Sequence, residues 1–129
     1  MNKQEIIQKL QDLDLPKEDY WLVAGSAMVM HGIREETRDI DLGCSKKLAD
    51  RLEAEACPTE LLTDGSRRIV LGNEIEFFEN WLFDRVEWID GFPVISLQGL
   101  IFMKQQLGRE KDLADLAAIK DYIQKHSAR

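Results

Sequence analysis

The sequence predicts a single α/β (α+β) domain over residues 1–129, with a mixed, largely antiparallel sheet and helices packed on one side. Amphipathic helical segments alternate with short apolar runs that glycine, proline or aspartate bound. The length suits one hydrophobic core. No linker, internal repeat or low-complexity tract divides the chain. These observations together indicate one compact unit rather than two.

Local patterns place the individual elements. Helices are predicted where apolar residues recur at helical spacing behind a capping residue: 3–13, a short segment from Ser26 to Met30 that ends at Gly32, segments behind Ser45 and Ser96, and 110–124. Strands are predicted at 20–24 and 38–43, as two or three antiparallel strands between 60 and 78, and as a hairpin around Asp90-Gly91. Pro93 is expected to put the second arm of that hairpin at a sheet edge.

The most informative stretch for function contains Asp39 and Asp41, which Ile40 separates. A strand places residues two apart on one face, so the two carboxylates are expected to point the same way. Carboxylate oxygens are the ligands that Mg²⁺ prefers. A calcium-binding loop is excluded because its sixth position requires glycine and here holds Cys44.

A second feature, Gly25-Ser26, follows a predicted strand and opens a predicted helix. Backbone N–H groups and the helix dipole at such a position can receive a phosphate. Gly25 would let the chain approach the ligand closely, and the Ser26 hydroxyl would add a donor. We therefore expect the phosphate-binding turn and the two aspartates to belong to one site.

The order of strand, Gly-Ser, short helix and Asp-Ile-Asp resembles the nucleotidyltransferase superfamily of the DNA polymerase β type. The segments HGIREETRDIDLG and MKQQLGREKDLADL are similar to its small bacterial members, which are related to antibiotic nucleotidyltransferases and abortive-infection toxin nucleotidyltransferases. The resemblance spans residues 21–123. It implies a nucleotidyltransferase-like domain that binds ATP or another nucleoside triphosphate (NTP) and moves its nucleoside monophosphate to an acceptor.

The resemblance also implies a third carboxylate on a later strand, within an apolar-acid-apolar pattern that Ile75-Glu76-Phe77 matches. Two Mg²⁺ ions roughly 3.5 to 4 Å apart would serve the transfer. Asp39 and Asp41 would hold the nucleotide-bound ion, and Glu76 would complete the second ion's ligands or act as general base. Glu74 and Glu79 are the rival candidates for the third acid.

Further binding residues come from the same resemblance. Lys104 and the segment Arg109-Glu110-Lys111-Asp112 are expected to line the nucleotide or acceptor side of the cleft, while Arg34 and Thr37 would orient Asp39 or touch the nucleotide. The alternative is a solvated helix face, in which Arg109 pairs with Asp112 and Lys111 pairs with Asp115.

The net charge and the cysteine content indicate which classes of partner and which cellular compartment to expect. A net charge of -7 disfavours extended nucleic-acid binding, which depends on basic side chains. The two cysteines are too few for a disulfide framework. The N-terminus is unlike a signal peptide, and no uncharged run of residues is long enough to span a membrane. A cytoplasmic protein is expected.

The acceptor is left open among a small molecule, a protein and RNA. The alternative function is a toxin-antitoxin or regulatory interaction protein that keeps this fold and acts by binding a partner. A homodimer that completes the cleft is compatible with either function.

Overall fold

The computed structural model describes residues 1–127, which form five helices and seven strands. The helices are α1 (Lys3–Leu13), α2 (Ala24–His31), α3 (Lys46–Ala54), α4 (Leu97–Leu107) and α5 (Glu110–Ser127). The strands are β1 (Tyr20–Val23), β2 (Ile40–Cys44), β3 (Thr59–Leu61), β4 (Arg67–Leu71), β5 (Ile75–Glu79), β6 (Val86–Ile89) and β7 (Phe92–Ile95). Within residues 1–127, no helix combines the length and the apolar character needed to cross a lipid bilayer. The predicted α/β class is confirmed.

The strands of the described chain form one mixed sheet in the order β3-β4-β5-β2-β1-β7-β6. Four neighbouring pairs are antiparallel, and the pairs β1–β7 and β2–β5 are parallel. The predicted mixed, largely antiparallel sheet is therefore confirmed. The edge position expected from Pro93 is wrong, because β7 lies between β1 and β6. β7 pairs with β1 at Val94. The sheet therefore tolerates the absence of a backbone N–H donor at Pro93.

Side-chain alternation gives β2 and β5 an apolar face and a polar face. Ile40 and Leu42 of β2 lie opposite Ile75 and Phe77 of β5, and all four are buried in the core. The residues between them project from the other side of the sheet. The hydrophobic core therefore determines which face of these strands carries their acidic side chains.

The start of α2 differs from the prediction. The helix begins at Ala24, so β1 ends at Val23 instead of residue 24, and Val23 at the N-cap has no side-chain capping bond. Ser26 is fully buried within the helix, with its hydroxyl oxygen 2.9 Å from the carbonyl oxygen of Val23 and 3.0 Å from that of Asp41. The hydroxyl thus ties the first turn of α2 to β2. The caps predicted at Ser45 and Ser96 are present.

Gly43 on β2 leaves space for the indole ring of Trp21. A Cβ atom added at Gly43 would lie 2.0 Å from Nε1 of Trp21 and 2.8 Å from the carbonyl oxygen of Trp81. That indole nitrogen donates a hydrogen bond to the same carbonyl at 2.8 Å. The absence of a side chain at Gly43 therefore lets Trp21 connect the central sheet to the segment after β5.

Gly43→Ala is expected to lower the free energy of unfolding by about 2–4 kcal/mol, because it overpacks the site and breaks the indole hydrogen bond. Chemical denaturation measures this change. Trp21→Phe is the control that removes the hydrogen bond without adding a methyl group, and it should cost less. A Gly43→Ala protein as stable as the wild type would contradict the close packing.

Candidate active site

The acidic residues predicted from β2 and β5 lie beside one another. The register of these parallel strands places Asp41 directly opposite Glu76, and both side chains are partly buried. Asp39 lies in an exposed bend immediately before β2, and it lines the same cleft as Asp41. The fold therefore gathers three carboxylates at one region of the polar face.

Asp41 is in an environment that disfavours its negative charge. Burial, together with the charges of Glu76 and Asp39, raises the pKa of Asp41 to about 6, while Lys104 and Lys111 act in the opposite direction. None of the described residues 1–127 donates a hydrogen bond to its carboxylate. A partly buried carboxylate between other acids is a site that a cation would stabilise.

Glu76 has a cationic partner. Arg68 of β4 donates a short hydrogen bond from Nη2 to Oε1 of Glu76. Across the part of the chain that the structure describes, no three acidic, histidine or cysteine side chains converge closely enough to form a ready-made metal site. Glu76 thus lies next to Asp41 in the sheet while its carboxylate is engaged by Arg68.

The two rivals for the third acid lie elsewhere. Glu74 precedes β5, is exposed, and pairs with Lys9 at 2.8 Å. Glu79 is buried on the apolar side of the sheet, where it pairs with Arg67 at 2.7 Å. Of the three candidates, Glu76 alone lies opposite Asp41.

Gly25 has a steric role beside the carboxylates. A Cβ atom there would lie 2.6 Å from Oγ1 of Thr37 and 2.9 Å from Nη1 of Arg34, so glycine allows the segment before β2 to pack on the first turn of α2. Thr37 in turn donates a hydrogen bond to the carbonyl oxygen of Asp39 at 3.3 Å. The predicted phosphate contact from the Ser26 hydroxyl does not agree with the structure, since that hydroxyl is buried and engaged within the chain.

A cleft of about 230 Å³ adjoins the aspartates. Its basic lining residues are Arg34, Arg38, Lys104, Arg109 and Lys111. Arg38 and Lys111 are exposed, whereas Lys104 is only 4% exposed. Arg38 was missed because nothing in the sequence distinguishes it from the other charged residues that precede Asp39.

Lys104 belongs to a network of ion pairs that lines one side of the cleft. Its Nζ atom lies 2.9 Å from Oδ2 of Asp115 and 3.3 Å from Oδ1 of Asp112. Asp115 also pairs with Arg34 at 2.5 Å. The Lys111–Asp115 pair expected for a solvated helix face is therefore replaced by pairs between more distant residues.

Asp112 is inaccessible to a ligand, contrary to its predicted role in nucleotide binding. Its carboxylate is fully buried and accepts hydrogen bonds from the backbone and guanidinium nitrogens of Arg109 and from Lys104. These partners, Arg109 above all, lower the pKa of Asp112 to about 2. Asp112 therefore anchors Arg109 and Lys104 at the turn between α4 and α5.

The cleft continues past Glu76 toward a group of aromatic side chains. A cavity of about 280 Å³ reaches from the aspartates to Phe78 and Trp81, whose rings stack with centroids 4.4 Å apart. Trp81 also borders a larger cavity of about 600 Å³, together with Phe83 and Met103. We call this larger cavity the aromatic end and the one with the basic lining the cationic end. The cavity of about 280 Å³, which all three carboxylates line, shares lining residues with both.

The residues present suit a hard divalent cation. Asp39 and Asp41 supply oxygen ligands beside a cleft, and the raised pKa of Asp41 reflects both burial and the charges of neighbouring carboxylates. Glu76 lies across the strand pair and could join them once its carboxylate leaves Arg68. The donor set therefore fits Mg²⁺ better than a soft metal, which would favour sulfur or imidazole ligands.

Asp41 is expected to make stability depend on pH. Its pKa is about 6 in the folded protein against an ordinary 3.8, so the folded state retains a proton that the unfolded chain releases. Stability contributed by this residue should therefore fall as pH rises from about 4 to about 6 and then stay constant.

Asp41→Asn is accordingly expected to raise the free energy of unfolding of the metal-free protein at about pH 7.5 by roughly 1–3 kcal/mol. The gain over the wild type should vanish below about pH 3, where Asp41 is neutral in both states. Thermal and urea unfolding across this pH range measure the difference. Asp39→Asn, at the exposed aspartate, serves as control; equal effects of the two substitutions would contradict the assignment to Asp41.

Comparison with known proteins supports the fold. No protein-family model and no curated protein sequence matches the chain. The structure is similar to a crystal structure from Thermotoga maritima, of a protein described as a presumed nucleotidyltransferase, with a TM-score of 0.61 at 14% sequence identity. The match covers 98% of this chain and 97% of that one. The chain therefore has the same fold as that protein, while the narrower resemblance to antibiotic and abortive-infection relatives stays a prediction.

Proposed function

We propose that this chain is a Mg²⁺-dependent nucleotidyltransferase that moves a nucleoside monophosphate from an NTP to an acceptor hydroxyl. The observation that carries the proposal is the register that sets Asp41 beside Glu76, next to a cleft with basic walls. In the reaction, the acceptor oxygen bonds to the α-phosphorus and the bond from that phosphorus to pyrophosphate breaks. The acceptor proton passes to a base.

The carboxylates have separate roles in this proposal. Two Mg²⁺ ions, when bound, would neutralise the triphosphate and polarise the attacking and leaving oxygens. Asp39 and Asp41 are the proposed ligands of the nucleotide-bound ion. Glu76 is the proposed third ligand or the base that takes the acceptor proton.

The cationic end is the proposed location of the β- and γ-phosphates. Arg38 and Lys111 are exposed there and can reach an anion directly. Lys104 is already neutralised by two carboxylates, so it contributes mainly through its field at Asp41. Of the residues predicted to line the cleft, this assignment keeps Lys111, adds Arg38, and excludes Lys104 and Asp112 from direct phosphate contact.

The proposed phosphate position determines where the acceptor enters. Attacking and leaving oxygens lie roughly in line at the transferred phosphorus. If pyrophosphate leaves toward the cationic end, the acceptor must approach from the opposite side of the carboxylates. The aromatic end shares Trp81 with the cavity that Glu76 lines and shares no lining residue with the cationic end. We therefore assign the aromatic end to the acceptor.

The second candidate function is that of an interaction protein with this fold. Exposed apolar side chains on the last two helices favour it. Phe102 and Leu113 are 45% and 60% exposed. A groove between α4 and α5 includes Ile101 and Leu116. A protein partner, or a second copy of the chain, would cover such a surface.

Both cysteines are free, which fits the proposed cytoplasmic location.

Titration calorimetry with ATP, GTP, CTP and UTP tests nucleotide binding. Wild-type protein is expected to bind at least one of them only with Mg²⁺, and Asp39→Ala with Asp41→Ala should weaken that binding at least about tenfold. Transfer is tested by following α-phosphate label into protein, RNA or small molecules of a lysate. Binding without transfer would favour the interaction protein, and no Mg²⁺-dependent binding would overturn the proposed function.

Gln106→Trp tests the assignment of the aromatic end, because Gln106 lines that cavity and is absent from the linings of the two cavities at the aspartates. Filling the cavity is expected to reduce label transfer at least about tenfold. Affinity for Mg²⁺-NTP should stay within about twofold.

Gln105→Trp is the matched control. Gln105 is next to Gln106 in the sequence, but its side chain lines the α4–α5 groove instead. It should leave both measurements near wild type. A tenfold loss of nucleotide affinity in Gln106→Trp would instead assign the aromatic end to the nucleoside.

A further inference from the structure

Among residues 1–127, Arg68 is the one cation that pairs directly with a predicted catalytic carboxylate. In the antiparallel pair of β4 and β5, Arg68 lies opposite Phe78 and Val70 lies opposite Glu76. Arg68 therefore projects from the same face of the sheet as Glu76 and reaches it diagonally. Their side chains are 32% and 30% exposed, so the pair is accessible to solvent instead of lying in the core, and Glu76 lines the cavity at the aspartates.

The neighbouring Arg67 shows what a structural arginine looks like in this strand. It projects from the opposite face, is 15% exposed, and contacts Glu79 together with Asp50 and Glu53 of α3. That cluster connects α3 to the sheet on the face opposite Arg68 and Glu76. Arg68 has no such packing role, since its carboxylate partners are Glu76 and, at 3.6 Å, the exposed Glu60.

We propose that Arg68 competes with the divalent cation for Glu76, so that the metal site is complete only after Glu76 has left Arg68. This proposal rests on the proposed function, because it takes Glu76 as the third metal-binding carboxylate. The register supplies the adjacency of Asp41 and Glu76, while the Glu76 carboxylate is held by Arg68 and no three carboxylates converge as a ready-made metal site within residues 1–127.

Competition follows from the chemistry of the two partners. A guanidinium and a hard divalent cation both bind carboxylate oxygens, and a metal at Glu76 would lie close to the positive charge of Arg68. Binding of the metal alone must therefore break the ion pair and leave Arg68 beside a second cation. A nucleotide-bound metal also brings the negative charge of the phosphates, which offsets the positive charge of Arg68. Arg68 thus favours loading of metal and nucleotide together over loading of the metal alone.

Binding of Mn²⁺ alone, followed by electron paramagnetic resonance or calorimetry, tests this competition without any transfer assay. Arg68→Gln is expected to bind Mn²⁺ about fivefold more tightly than the wild type. Lys111→Gln removes a positive charge at the same cleft without freeing Glu76, and it should gain no more than about twofold. Arg68→Lys, which keeps the charge but loses the planar guanidinium, should lie between wild type and Arg68→Gln.

Glu76→Gln separates competition from a general charge effect. Removing the Glu76 carboxylate should weaken Mn²⁺ binding more in the Arg68→Gln background than in the wild type, because only there is the carboxylate free. Thermal unfolding of each variant checks its folding, and Arg68→Lys carries the test if Arg68→Gln does not fold.

An Mn²⁺ affinity of Arg68→Gln equal to or weaker than that of the wild type would overturn the proposal; a weaker one would make Arg68 a residue that positions Glu76 for the metal. Failure of the proposed function is recognised separately. In that case, Asp39→Ala with Asp41→Ala leaves Mn²⁺ binding unchanged.

Discussion

The parallel pairing of β2 with β5 is the constraint on which the candidate site depends. Ile40 and Leu42 lie against Ile75 and Phe77, and burial of these side chains holds the two strands in one register. A shift of one residue would turn Glu76 toward the core and an apolar side chain toward the cleft. The same hydrophobic contacts that stabilise the sheet thus hold Asp41 and Glu76 side by side.

Repulsion between carboxylates placed this close together is unfavourable. Two basic side chains reduce it. On one side, Arg68 neutralises Glu76. On the other, Lys104 lies buried between Asp112 and Asp115 and still favours the ionised form of Asp41. Asp41 itself keeps no hydrogen-bond donor among the described residues and so retains the raised pKa. The site is therefore arranged around one carboxylate that remains available to a cation.

Local patterns in the sequence predicted the sheet and most helix starts, because apolar periodicity and capping residues mark these elements. The choice of Glu76 came from the family resemblance, and its position opposite Asp41 agrees with that expectation. Contacts between distant residues were not predictable in this way. The burial of Asp112 and Lys104 depends on how α4 meets α5. The Arg68–Glu76 pair depends on a diagonal neighbour across two strands, which a single-strand pattern does not identify.

Anomalous diffraction from crystals grown with Mn²⁺ and a non-hydrolysable NTP analogue tests the central claim most directly. The account predicts an ion within about 2–2.3 Å of carboxylate oxygens of Asp39 and Asp41, with the carboxylate of Glu76 turned from Arg68 toward the metal. An ion bound elsewhere, or a nucleotide whose phosphates lie away from these aspartates, would contradict it.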